Sequence, residues 1–237
     1  MFDWLMTSID PSRPHAVADA IAWHGRLMVL AWGGLLPLGV VIARFWKITP
    51  RQDWPNKADN KVWWRCHLAL QYGGGVLAAA GLFVVFSRGG GVGGWHGVLG
   101  WSVLGLLCVQ VLGGWLRGTK GGPTDPAADG SLRGDHYDMT PRRRAFERVH
   151  KVVGYLALAL AMAGLTTGLW LANAPRWMWL SLGLWWSLLV VLSLVWQRQG
   201  RAIDTYQAIW GPDPSHPGNH RAPIGWGIRR PGKGPRS

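Results

Sequence analysis

Long apolar blocks alternate with basic, Gly- and Pro-rich stretches along this chain. The blocks run from about Ala18 to Phe45, Val62 to Phe86, Trp95 to Leu116, Val149 to Ala172 and Trp177 to Trp196. A hydrocarbon core of about 30 Å needs roughly 20 helical residues to cross it, and every block is long enough. The pattern predicts an all-α membrane protein, a bundle of five transmembrane helices. Pro37 interrupts the first block, a kink that a bundle tolerates. Pro175 stands at the start of the fifth, where its missing N–H costs nothing. Trp23, Trp46, Trp95, Trp115, Trp177 and Trp196 lie at block ends, as interfacial tryptophans do.

Charge adds an orientation. The net charge of +13 could suggest nucleic acid, but it lies almost wholly outside the apolar blocks, so no nucleic-acid partner is expected. Lys47, Arg51, Lys57, Lys61 and Arg65 join the first block to the second. Seven Lys or Arg residues from Arg117 to Arg148 join the third to the fourth, and the C-terminal tail is also basic. The opposite connections offer only Arg13, Arg88 and Arg176. The positive-inside rule puts the N-terminus outside and the C-terminus in the cytoplasm, and five spans satisfy that parity. Three regions follow: an external segment 1–17, a transmembrane domain 18–198, and a cytoplasmic Pro/Gly-rich basic tail 199–237. The tail is expected to lack regular structure. The first block is too long for the apolar region of a signal peptide and reads as a retained span. Cys66 and Cys108 sit in or at the edge of apolar blocks and read as packing residues; neither belongs to C-x-x-C-H, which excludes covalent haem attachment.

Four of the eight histidines change the picture. His24, His67, His96 and His150 lie one per block, each near the N-terminal end of its helix. Adjacent spans run antiparallel, so His24 and His96 share the outer layer and His67 and His150 the inner. Ionisable groups inside a membrane are costly and usually functional. Two histidines per layer, without acidic or thiolate partners at that depth, make a poor zinc or copper set. They suit a haem, whose porphyrin supplies four donors and needs two axial imidazoles from facing helices. The expectation is two b haems in a core built by the first four helices. Gly25, Gly97, Gly100 and Gly154 beside the histidines fit either a flat macrocycle or close helix packing. Bis-histidine coordination leaves no open position, which favours electron transfer over oxygen binding and assigns no catalytic residue.

These same residues resemble the cytochrome b561 family, in the branch related to DOMON-associated domains. The resemblance spans roughly Ala18 to Ala172. It rests on His24-Gly-Arg-Leu-Met-Val-Leu-Ala-Trp32 with Pro37-Leu-Gly39, and on Trp64-Arg65-Cys66-His67 with Gln71. The third and fourth motifs are His96-Gly-Val-Leu-Gly100 with Gln110, and His150-Lys-Val-Val-Gly154 with Gly168. The resemblance implies the same pairing, His24 with His96 and His67 with His150, as axial ligands of haem iron. It implies electron transfer across a membrane, in many members from cytosolic ascorbate to an acceptor such as monodehydroascorbate or a ferric chelate; for this chain the expected donor is a small reductant or quinol. Arg65, two before the second-helix histidine, takes the place of a donor-binding basic residue, and Arg148 stands similarly before His150; both also read as ordinary positive-inside arginines. The family also implies a homodimer, and a bacterial inner membrane is the expected location. No DOMON domain precedes the first span, so an external redox domain is expected to be a separate chain. The motifs Gly121-Gly-Pro-Thr-Asp125 and Gly134 to Thr140, and the tail around Tyr206 to Pro214, go beyond the family core.

Three functions compete on this reading. The chain is a transmembrane oxidoreductase of ferric reductase type, a haem b subunit relaying electrons within a larger membrane complex, or a structural assembly subunit. A basic pocket at Arg65 and Arg148 would favour an anionic donor.

Overall fold

The computed structural model describes residues 2–88, 93–120 and 137–231. His136, Arg133, the 121–125 motif, the start of the 134–140 motif and the tip of the 88–94 turn lie outside the described residues. Among those described, no β-strand forms, and five helices are long and apolar enough to cross a membrane: Asp19–Phe45, Val62–Ser87, Gly94–Trp115, Pro141–Leu171 and Arg176–Arg198. Their outward faces carry exposed Val76, Phe83, Trp95 and Leu184, surface that only a lipid solvent would accept over such an extent. The chain is an integral membrane protein.

The fourth helix begins eight residues before its apolar block. Pro141 opens it, where a proline loses no helical hydrogen bond. The Thr140 hydroxyl accepts from the Arg143 N–H at 3.2 Å, a side-chain cap. Glu147 then sits one turn from both Arg143 and Lys151, bonded to them at 3.1 and 3.2 Å. Such i,i+4 pairs stabilise a helix whose hydropathy alone would not reveal it.

The first helix contains a π-helical stretch, Val29–Leu35, immediately before Pro37. Proline has no N–H to give the carbonyl four residues back, which here is that of Gly33. The Trp185 indole N–H donates to this carbonyl at 2.8 Å instead. A contact from the fifth span thus satisfies the polar group that the proline frees, as a helix break at membrane depth requires.

The chain divides into two compact units, residues 1–40, 67–107 and 155–192, and residues 41–66, 108–154 and 193–237. The first has an apolar core of Ala31, Trp32, Leu36, Ala78, Val103, Ala157, Ala161, Leu165 and Leu182. In it the N-terminal segment packs on the fourth-to-fifth turn: the Ile9 N–H donates to the Ala174 carbonyl, and the buried Asn173 amide binds the carbonyls of Asp10 and Arg13. The second unit gathers the three segments that charge assigns to the cytoplasm. The Asp59 N–H donates to the Ala208 carbonyl, and the Trp210 indole donates to the Lys120 carbonyl.

The tail departs from its expectation. It forms a short helix, Thr205–Trp210, and a 3-10 turn, Pro217–His220. Tyr206, Ala208 and Ile209 are buried. Gly218 is required there, because a Cβ would collide with the Tyr206 ring. Two ion pairs tie the tail down, Arg230 to Asp204 at 2.8 Å and Arg221 to Asp138.

Beside this tail Lys47 is buried, and its ammonium donates to the Ile203 carbonyl at 2.8 Å. Burial, helped by the neighbouring Lys151 charge and opposed by Glu147, lowers its pKa from 10.5 to about 7. The unfolded chain therefore binds a proton that the folded chain lacks between these values, so stability rises with pH in that window. Tyr206, raised to about 12 by burial, acts in the opposite sense only above pH 10. Lys47→Met is expected to remove a slope of up to about 1.4 kcal/mol per pH unit between pH 7 and 10. Thermal unfolding in detergent across that range checks it; an unchanged slope rejects the assignment to Lys47.

Candidate functional site

His24 and His96 come together in the first unit. Their ring centres are 6.2 Å apart and their planes lie at 83°. Two imidazoles bonded in line to one metal ion have ring centres about 6 Å apart, given a metal–nitrogen bond of about 2 Å. The observed spacing thus leaves room for one metal ion between the rings.

Which nitrogen each ring presents follows from its other hydrogen bond. His24 Nδ1 lies 3.0 Å from the Gly81 carbonyl, and His96 Nδ1 lies 3.1 Å from the Gly164 carbonyl. A carbonyl oxygen can only accept, so Nδ1 carries the proton and the lone pair sits on Nε2. This is how metal-ligating histidines are commonly oriented. The Thr167 hydroxyl, 3.2 Å from His96 Nδ1, donates to the same Gly164 carbonyl and braces it.

His67 repeats the arrangement. Its Nδ1 lies 3.0 Å from the Gly39 carbonyl. The first and second spans therefore exchange bonds reciprocally, His24 to Gly81 and His67 to Gly39, which fixes their antiparallel register. A Cβ at Gly39 would displace the Gln71 amide, itself bonded to the Leu36 carbonyl at 3.0 Å, so the glycine leaves room for that bond.

His150 lies in the second unit. Its carbonyl accepts from the Gln110 amide at 2.8 Å, and its ring packs against Phe146 at 4.9 Å. Gly154, one turn on, provides the space that Gln110 occupies: a Cβ would stand 3.1 Å from its Nε2.

The glycines near the other histidines divide by role. Nothing in the protein lies within 4 Å of a Cβ built on Gly25 or Gly100, so open space rather than helix packing surrounds them. Gly168 is different, because a Cβ there would stand 3.1 Å from Cε1 of His96. The absent side chain is what admits the imidazole. Among the described residues, no three His, Cys, Asp or Glu side chains converge on a metal position. A two-imidazole site suits an iron that arrives with its own equatorial donors, so the residues present fit a haem.

Arg65 is exposed at the start of the second span. Arg148 lines a cavity of about 300 Å³ in the second unit, which Arg65 does not line. His15 bonds to the Ala172 carbonyl at 2.8 Å, His216 stacks on Tyr137, and His220 bonds to the Pro214 carbonyl, so each has a local partner. Sequence reasoning missed the three carbonyl acceptors at Gly39, Gly81 and Gly164. A backbone acceptor leaves no residue type to read.

Two curated proteins show what the chain is similar to. It is 31% identical over 148 residues to a "cytochrome b561, DM13 and DOMON domain-containing protein" of Arabidopsis thaliana. It is 29% identical over 152 residues to ferric-chelate reductase 1 of Mus musculus. Each match takes in 62% of this chain but only 14% and 22% of the relatives' own lengths. No protein-family model and no solved structure matches the chain.

Proposed function

We propose that the chain is a cytochrome b561-like module that carries electrons across a bilayer through two b haems. The observation that carries this reading is the His24–His96 pair, 6.2 Å apart with each Nδ1 held by a glycine carbonyl. The similarity to a cytochrome b561 domain protein and to a ferric-chelate reductase supports it independently. His24 and His96 hold the outer haem. On span parity and the family resemblance, His67 and His150 hold the inner one.

Each haem, when bound, supplies one-electron exchange between ferric and ferrous iron. The chain does the rest. The glycine carbonyls fix the tautomer and the ring plane of His24, His67 and His96, which raises their basicity as ligands. The apolar core around Trp32 and Leu36 excludes water from the path. The N-terminus lies outside and the basic segments lie in the cytoplasm, where Arg148 and Arg65 are the residues to meet an anionic reductant. A ferric chelate or similar small acceptor is reduced on the outer side.

The test is haem content and reduction. Purified protein is expected to carry two haems per chain by pyridine haemochrome, and stopped-flow mixing compares ascorbate with quinol. Reduction by one of them identifies the donor class. A protein that holds haem but is reduced by neither rejects the small-donor reading.

A further inference from the structure

The geometry points to a binding site for a compact oxyanion, a polycarboxylate or phosphate, between the start of the fourth span and the C-terminal tail. The cavity of about 300 Å³ is lined by Arg144, Arg148, Arg221 and Arg230 against Asp138 and Asp204.

Two of the four arginines are committed elsewhere. Arg221 grips both oxygens of Asp138, and Arg230 bonds Asp204 while its other nitrogens bind the carbonyls of Gly218 and Asn219. Both aspartates are buried, so these pairs build the wall and cancel in charge. Arg144 and Arg148 remain. They stand one turn apart on one helix face, and among the described residues neither has an acidic partner. Their basic neighbours differ: Arg142 bonds the Leu116 carbonyl and Arg143 bonds Glu147. Like charges at i,i+4 destabilise a helix, and here both border one concave space. Among the described residues, the cavity thus carries two guanidinium groups with no acidic partner, beside a helix N-terminus that itself favours negative charge. Guanidinium groups recognise carboxylate and phosphate oxygens by paired N–H donors. The cavity is large enough for a small ligand and is closed on one side by the C-terminal tail.

The same chemistry could come from a soluble anion or from an acidic lipid headgroup. The site shares Arg148 with the donor reading above and deepens it, but binding is measured without haem reduction, so the two can fail separately. The experiment titrates the full chain, in phosphatidylcholine nanodiscs, with citrate and with inorganic phosphate by calorimetry. A parallel arm adds phosphatidylglycerol and uses native mass spectrometry to look for lipid retained by the protein. Saturable binding of either anion, or retained phosphatidylglycerol, is expected in the wild type. Arg144→Gln with Arg148→Gln is expected to weaken it at least tenfold, while Lys57→Gln, which removes a charge outside the cavity, leaves it unchanged. If the double variant loses helicity by circular dichroism, Arg148→Gln alone is used, since its side chain is exposed. No binding in any arm, or equal binding by the arginine variant, overturns the proposal. Binding that persists in a protein that no reductant reduces upholds the site and rejects the electron donor as its occupant.

Discussion

Replacing His96 by alanine is expected to lower the haem content of the purified protein from two per chain to one. The His24 and His96 rings stand 6.2 Å apart, each with Nε2 as its free lone pair. Removing one ring leaves the outer haem with a single protein ligand. His67 is held by a separate bond to Gly39, and the proposed pairing makes neither His67 nor His150 a ligand of the outer haem, so the second haem is expected to stay. Double variants sharpen the test, because residues acting as a unit are not additive. His24→Ala with His96→Ala should still retain one haem, while His96→Ala with His67→Ala should retain none. Pyridine haemochrome against protein concentration reads all three, and the spectrum of the remaining haem reports that the variant has folded. Two haems in the single variant would reject His96 as a ligand. One haem in the His96/His67 variant would reject the layered pairing.

What the sequence revealed and what it concealed follow from the range of each interaction. The five spans were legible because hydrocarbon thickness sets a length that apolar residues must fill. The meeting of His24 with His96 was legible because antiparallel spans put alternate helix starts at one depth. The early start of the fourth helix was not, because Arg143, Glu147 and Lys151 stabilise it by charge pairing rather than by hydropathy. The π-helical stretch was hidden too. Pro37 announces a break, but Trp185, which satisfies Gly33, lies 152 residues away from it. The tail misled for a similar reason. Its prolines and glycines read as irregular chain, yet Asp138, far back in the chain, anchors Arg221, and Asp204 anchors Arg230. These long-range polar pairs order a segment that local propensity would leave loose.

A leucine at position 168 is expected to cost the outer haem as completely as the loss of His96 itself, without touching a ligand. The Gly168 Cα faces the His96 ring so closely that even a Cβ would stand 3.1 Å from Cε1 and 3.6 Å from Nδ1. The ring cannot retreat freely. Its Nδ1 is bound to the Gly164 carbonyl and lies beside the Thr167 hydroxyl, both on the same helix as Gly168. A leucine side chain must therefore either break that bond or rotate the ring, and either movement changes how the ring faces His24. Alanine supplies only the Cβ, which a shift of a few tenths of an ångström can admit, so Gly168→Ala should keep two haems with an altered outer spectrum. Gly168→Leu should keep one. The contrast between the two variants separates a positioning role from a general loss of packing, which would lower both haems together. Haem stoichiometry and low-temperature absorption spectra measure it, and a Gly168→Leu protein with both haems intact would show that the ring has a second orientation able to hold iron.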